Sequence, residues 1–319
     1  MPNELRKDPL FERYAIIAEA RGKRPTDFAL KRAPCESKPE GICYFCPGNE
    51  HLTPPEISRI TEKGKKGWIV RCFPNKFPAV SRDSPRAYGY HEIIVETNKH
   101  GATLSELSTP HIKKVLDMYA SRVLALHKDK KIKYVLIFKN EGEEGGASLS
   151  HTHTQLIALA QIPPVIEDEI RAQKKFKRSH KKCALCELAK KEKNSERAVY
   201  ENDEFVCFAP YASRFSFETW VLPKKHIPSL AQLTEKQKLA LADALKNSLG
   251  KLDKLLNRPP YNYLVHIAPA RGREYMDFHF HIEICPRLAR WAGFEFGSGI
   301  MINSMPPETA AKALRGTRV

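Results

Sequence analysis

Two segments of the chain switch from a strand-like to a helix-like hydrophobic period in the same order. One runs from the apolar Ile94-Val95 through His100 to Leu104 and Leu107; the other runs from Trp220-Val221-Leu222 through His226 to Leu230 and Leu233. In both, leucines stand four and seven positions after the histidine. Each segment then enters a stretch with apolar residues at helical spacing, Ile112, Val115, Leu116, Tyr119, Val123 and Leu126 in one and Leu239, Ala242, Leu245, Leu249 and Leu252 in the other. That spacing predicts an amphipathic helix, because residues three and four apart share one face. Start signals precede both: Thr109 before Pro110, and Thr234 with Gln237 in a capping-box pattern. Buried strands are predicted next, over the apolar runs YVLIF from Tyr134 and YLVHI from Tyr263.

The stretch SLSHTHTQL, residues 148–156, breaks the apolar pattern. In an extended backbone, side chains alternate faces, so His151, His153 and Gln155 point one way while Thr152 and Thr154 point the other. One histidine in a strand is commonly a hydrogen-bonded core residue. Three aligned polar groups running into LIAL each need a buried partner, which favours a site over a packing accident.

The parallel extends further. His151-Thr152-His153 begins seventeen positions after Tyr134, and His279-Phe280-His281 begins sixteen after Tyr263. Cys72-Phe73-Pro74 matches Cys207-Phe208-Ala209-Pro210 upstream, at the start of each repeat's sheet, and a CxxC pair stands ahead of each repeat's histidines, Cys43/Cys46 and Cys183/Cys186. The chain therefore reads as an internal duplication. Each half offers two cysteines, a histidine before a helix and the first histidine of an HxH strand, in the same order. Two Cys₂His₂ sites are expected, Cys43, Cys46, His100 and His151, and Cys183, Cys186, His226 and His279. Four protein ligands close a coordination shell, so both sites read as structural metal, with zinc the expected ion and two per chain. The short-loop zinc-finger arrangement does not fit, since the ligands are too widely spaced.

Composition narrows the class. The chain has 319 residues, 42% of them apolar, enough for two domain-sized units. The charged start, Met1 to Lys7, and the lack of any long apolar run predict a cytoplasmic protein without a membrane segment. Eight cysteines then argue for thiols or metal ligands rather than a disulfide framework. The net charge of +16 favours anionic ligands. Much of that excess lies between Lys174 and Lys182, which reads as a solvated helix face.

Taken together, these residues resemble the galactose-1-phosphate uridylyltransferase family of the histidine-triad superfamily, including its ADP-glucose phosphorylase-like subgroup. The resemblance covers nearly the whole chain and rests on RGKRP from Arg21, CYFCPG from Cys43, PNKFPA from Pro74, FKN from Phe138, GASLSHTHTQ from Gly146 and HFH from His279. It implies an α+β fold of two histidine-triad-like repeats, 1–165 catalytic and 166–319 structural, with joined antiparallel sheets and packed helices. The family's HPHxQ motif corresponds to residues 151–155, with Thr152 in place of proline. By resemblance, His153 is the nucleophile that takes a nucleotidyl group from a nucleoside diphosphate sugar, and Gln155 donates to the phosphoryl oxygens. Asn140 and Ser148 match positions that contact phosphate and nucleotide, and Arg21, Arg24, Asn75 and Phe77 match the nucleotide pocket. A homodimer is also implied.

The chemistry suits these residue types. A neutral imidazole offers a lone pair for attack, and an amide stabilises phosphoryl charge without adding repulsion. At the place of Gln155 the second strand carries Glu283, whose charge would repel a phosphoryl group, so the C-terminal HxH is expected to be the structural copy. An iron site of His266, His279, His281 and Glu169 is the rival to the cysteine-containing one in the second half. The expected activity is a double displacement, with UDP-glucose and a hexose-1-phosphate as the main reading and phosphorolysis of ADP-glucose as the alternative. A zinc-containing nucleic-acid-binding protein is the rival from another class, but it leaves the alignment of His153 with Gln155 unexplained.

Overall fold

The computed structural model describes residues 2–19, 41–62, 64 and 66–319. The chain opens with strands β1 (Glu4–Lys7) and β2 (Tyr14–Ile17). The first half continues with β3 (Ser58–Thr61), β4 (Trp68–Pro74), β5 (Gly89–Val95), helix α1 (Thr109–Leu126), β6 (Tyr134–Glu141) and β7 (His153–Leu159). Helices α2 (Pro164–His180) and α3 (Ala184–Glu192) lead into the second half, with β8 (Ala198–Glu201), β9 (Phe205–Phe208), β10 (Thr219–Pro223), α4 (Glu235–Leu256), β11 (Tyr261–His266) and β12 (His281–Pro286). Helix α5 (Gly293–Ser298), β13 (Met301–Asn303) and α6 (Pro307–Gly316) complete it.

Ten strands form one antiparallel sheet in the order β3-β4-β5-β7-β6-β11-β12-β10-β9-β8. Read outward from the centre, both halves have the same strand order, and they join where β6 pairs with β11, Leu264 opposite Phe138. The expected α+β fold of two repeats with joined antiparallel sheets is what the chain adopts. A separate three-stranded sheet, β1-β2-β13, ties the two ends of the chain together through a parallel β2–β13 pairing. Cys72 and Cys207 each lie in the second strand that their half contributes to the ten-stranded sheet rather than the first, since short strands β3 and β8 precede them.

Strand alternation divides the sheet into two faces. On β9, Phe205 and Cys207 join the large core shared with α1 and α4, while Val206 and Phe208 pack with Phe11 and Trp220 on the opposite side. On β5, Ile94 faces the helices, whereas Ile93 and Val95 pack with Cys43, Phe45 and Phe73. Helices α1 and α4 therefore cover one face, and the site residues occupy the other, where α3 packs against the second half.

The helix expectations hold with two adjustments. All six apolar positions named for α1 are buried, but its cap is Ser108, which accepts the His111 N–H, and Thr109 is already helical. The capping box at Thr234 and Gln237 is formed. Leu239, however, is exposed, because it lies about 120° around α4 from the middle of the stripe, and Leu241 takes its place in the core. The basic run lies on α2 and just beyond it, with Lys175, Lys177 and Arg178 exposed. No helix among the described residues is long and apolar enough to cross a membrane.

Candidate active site and metal centres

The first CxxC is a tight turn in which the Cys46 N–H donates to Cys43 O (3.3 Å) and the Asn49 side chain closes on the same oxygen (2.9 Å). Its sulfurs face two imidazoles: Cys43 Sγ lies 3.5 Å from His151 Nδ1, and Cys46 Sγ lies 3.5 Å from His100 Nδ1 and 3.6 Å from His151 Nδ1. In the second half Cys183 caps α3 and Cys186 sits in its first turn. There Cys183 Sγ is 3.2 Å from His279 Nδ1 and 3.3 Å from His226 Nδ1, and Cys186 Sγ is 3.6 Å from His279 Nδ1.

A tetrahedral zinc with sulfur at about 2.3 Å and nitrogen at about 2.0 Å has sulfur–nitrogen edges of about 3.5 Å. The observed separations match such edges, and within each quartet all donor atoms lie within 4.8 Å of one another. Three of the four imidazoles are also held in the ligating tautomer. Nε2–H of His151 donates to Thr97 O (2.8 Å), that of His226 to Met276 O (2.8 Å) and that of His279 to Pro223 O (3.1 Å). The Nδ1 lone pairs are thereby turned to the sulfurs. Both quartets predicted from the sequence are assembled and fit zinc.

The rival set is divided. His279 belongs to the cysteines, while Glu169, His266, His281 and Glu283 form a separate buried group. Arg13 already bridges that group, ion-paired with Glu169 and, at 2.6 Å, with Glu283. Arg214 binds Glu283 and Glu218, both at 2.7 Å.

His153 is buried at the start of β7, two residues beyond His151, which faces the cysteines. Its Nδ1–H donates to the His151 carbonyl (2.9 Å), which leaves the lone pair on Nε2. Nothing among the described residues hydrogen-bonds that nitrogen. Burial, reinforced by the Lys139 ammonium, pushes the imidazole pKa down to about 4, so the ring is neutral at neutral pH. Phe45 meets it edge-on at 5.2 Å.

Two cavities open on either side of His153. One, of about 300 Å³, is lined by Phe45, Phe73, Asn75, Phe77 and Gln155. The other, of about 540 Å³, is lined by Asn140, Glu143, Asp253, Asn257 and Arg258. Ser148 lines both. The structure thus brings His153, Gln155, Asn75, Phe77, Asn140 and Ser148 around one place. Phe77 forms the rim rather than a wall, since 82% of it is exposed. Asn75 is held by its oxygen, which accepts the Phe77 N–H (2.9 Å). Arg21 and Arg24 lie outside the described residues.

Several residues at the site escape sequence reasoning. Asn262 of β11 donates to Asn140 Oδ1 (2.9 Å) and to Gly145 O (2.6 Å), so the second half positions the first half's loop. Gly145 is required there, since a Cβ would come within 2.9 Å of Tyr261 O. Beneath β7, on the helix face, the fully buried Lys139 pairs with Glu96 (2.8 Å) and donates to Thr152 Oγ1 (2.6 Å) and His153 O (3.2 Å). Burial opposes its charge, but Glu96 and Glu141 together outweigh burial and hold the ammonium above its ordinary pKa. Two signals were present in the sequence: a lysine inside an apolar strand, and threonines alternating with the histidines.

Comparison with known proteins follows the same division. A model of the galactose-1-phosphate uridyl transferase N-terminal domain matches residues 2–163, and one of the C-terminal domain matches residues 169–314. An ADP-glucose phosphorylase of Arabidopsis thaliana is 34% identical over 98% of this chain and 92% of its own length. A galactose-1-phosphate uridylyltransferase of Thermotoga maritima is 32% identical over 99% of each chain. Among solved structures, the Arabidopsis ADP-glucose phosphorylase with bound ADP-glucose superimposes over the full length of both chains, with a TM-score of 0.88 and 32% identity. A uridylyltransferase structure matches with a TM-score of 0.77 and 30% identity over 98% of each chain.

Proposed function

The chain belongs to the galactose-1-phosphate uridylyltransferase family, and from that premise we propose that it is a nucleotidyltransferase working by double displacement through His153. The observation that carries the reading is the free Nε2 lone pair of a buried, neutral imidazole set between two cavities, with its other nitrogen committed to a backbone carbonyl.

In the first step Nε2 attacks the α-phosphorus of a nucleoside diphosphate sugar. A P–N bond forms, the bridging P–O bond breaks, and the sugar-1-phosphate leaves with the bond's electrons. Nδ1–H stays on the His151 carbonyl, which supports the positive charge the ring acquires. In the second step a phosphate oxygen of the acceptor attacks the same phosphorus and the P–N bond breaks, restoring the imidazole. Gln155, which lines the same cavity as His153, is assigned to donate to the phosphoryl oxygens, and Asn75 and Phe77 border the cavity assigned to the nucleoside. Ser148 and Asn140 are assigned to the phosphates, and Arg21 and Arg24 join the anion-binding set by family resemblance. Zinc in each Cys₂His₂ site, two per chain, would supply structural cross-links; by holding His151, the first would fix the strand that carries the nucleophile.

The main reading takes UDP-glucose as donor and a hexose-1-phosphate as acceptor, supported by relatives such as the Thermotoga enzyme. A second reading, phosphorolysis of ADP-glucose, is favoured by the full-length similarity to the Arabidopsis phosphorylase. A homodimer in the cytoplasm belongs to both. Incubating the protein separately with α-phosphate-labelled UDP-glucose and ADP-glucose distinguishes them: the true donor leaves acid-labile label on the protein. Failure of both to label, with intersecting rather than parallel initial-rate lines, would refute double displacement.

A further inference from the structure

His91 lies on β5, beside the catalytic strand, and is buried. Its Nδ1 receives the backbone N–H of Ala79 (3.1 Å). A backbone N–H is only ever a donor, so Nδ1 must carry the lone pair, and the proton of the neutral ring is on Nε2. That Nε2 stands 2.8 Å from the side-chain oxygen of Gln155. The amide nitrogen of Asn75 also approaches Nε2, at 3.1 Å, but the Asn75 oxygen is occupied by the Phe77 N–H. Asn75 therefore offers only N–H here, for which the ring's acceptor is Nδ1 (3.5 Å), and cannot accept the Nε2 proton, which leaves the Gln155 oxygen as acceptor. A chain of three groups thus fixes a direction: Ala79 N–H sets the tautomer, the tautomer sets the donor, and the donor claims one end of the Gln155 amide.

We propose that His91 is a positioning residue which locks the Gln155 side chain with its oxygen turned away from the reaction and its NH₂ group facing the transferring phosphoryl group. An unrestrained glutamine presents either end of its amide at similar energy, and the oxygen end repels phosphoryl oxygens. A donor that is already aimed contributes to the transition state without reorganising during the reaction. Burial lowers the pKa of His91, which keeps the ring in the neutral state that this arrangement needs. The second half supports the assignment by contrast. In the β5–β7 pairing Gln155 lies opposite Ile93, and in the β10–β12 pairing Glu283 lies opposite Trp220, so the counterpart of His91 is Glu218. There two carboxylates, Glu218 and Glu283, both bound by Arg214, replace the imidazole and its amide partner.

The inference rests on the role given to Gln155 above, and a double-mutant cycle separates the two. The rate of nucleotidyl-enzyme formation is followed in single turnovers with labelled UDP-glucose or ADP-glucose, whichever labels the wild-type protein. His91→Leu should slow formation about 10- to 100-fold while KM stays within about twofold, because the loss falls on the transition state. His91→Gln, whose amide nitrogen reaches the place of Nε2, should recover much of that rate; His91→Asn, which reaches only the place of Nδ1, should not. In a Gln155→Ala background, His91→Leu should cost less than about twofold further. Equal costs in both backgrounds, or a His91→Asn as active as His91→Gln, would overturn the proposal. If leucine is not tolerated, the glutamine and asparagine variants carry the comparison alone. A Gln155→Ala protein with an undiminished rate would instead overturn the role of Gln155 itself.

Discussion

The two HxH strands occupy equivalent places in the sheet, and their second histidines share a tautomer. His153 Nδ1 donates to His151 O, and His281 Nδ1 donates to His279 O (3.2 Å). What differs is what meets Nε2. At His153 two cavities open beside it. At His281, Nε2 is buried without a hydrogen-bond partner among the described residues, 3.8 Å from both Glu169 and Glu283, under the stacked rings of Phe11, Trp220 and Phe278. The turn between β1 and β2 supplies both Phe11 and the Arg13 that neutralises Glu283 and Glu169. One duplicated scaffold thus leaves cavities beside the histidine in one half and fills the equivalent place with a charge network in the other. The lesson is that the same motif is fitted for the nucleophile's role proposed for His153 only where its neighbours leave the lone pair accessible.

The largest expected break in this comparison is at the two histidines themselves. His153→Ala should lower transfer by about 10⁴-fold or more, while His281→Ala should retain labelling by the nucleotide sugar and lose only stability. Loss of labelling in a folded His281→Ala protein would mean that the halves share the reaction.

Next in size is the plug of the second half. Arg13→Met leaves two buried carboxylates short of a partner and should destabilise the protein by about 3–5 kcal/mol in denaturant unfolding. Adding Glu283→Gln should return part of that loss, since it removes one of the stranded charges. An Arg13→Met protein as stable as wild type would show that the network is not a structural element of this half.

The metal sites should separate in the same way. Cys43→Ser and Cys183→Ser are each expected to remove about one zinc per chain by elemental analysis. Only the first should also depress nucleotidyl transfer at temperatures where both proteins are folded, because His151 anchors the strand of His153. Equal loss of transfer in both would contradict a division of labour between the halves.

A smaller effect concerns pH. A histidine of ordinary pKa loses its nucleophilic form as pH falls through about 6.5. The pKa of His153 is lowered to about 4, so its neutral form persists across that range and is lost only as pH falls towards that value. The pH profile of kcat/KM should therefore show no inflection from this group near neutrality. The smallest effect is at Phe77, which only rims its cavity: Phe77→Ala should raise KM about two- to tenfold with kcat nearly unchanged.

Much of this was legible because the repeat is written in residue types that chemistry restricts. Cysteines and histidines fell into matching order, with Glu283 standing where the first half has Gln155, and the two Cys₂His₂ clusters and the alignment of His153 with Gln155 were legible from that order. The rest depends on contacts between distant parts of the chain that no local period encodes. His91 reaches Gln155 across 64 positions through strand register, and Arg13 reaches Glu283 across 270. Lys139 sits in a strand whose apolar neighbours give no sign of a buried carboxylate partner 43 positions away. Leu239 shows the opposite failure, an apolar residue placed near a stripe by counting but turned outward by the true helical angle.

The most direct measurement is to locate the covalent label. Protein quenched during turnover with the labelled donor, digested at neutral to alkaline pH and mapped by mass spectrometry, should carry an acid-labile nucleotidyl group on the peptide containing His153 and on no other. Label on the His281 peptide, or a turning-over enzyme with no protein-bound nucleotide, would contradict the account.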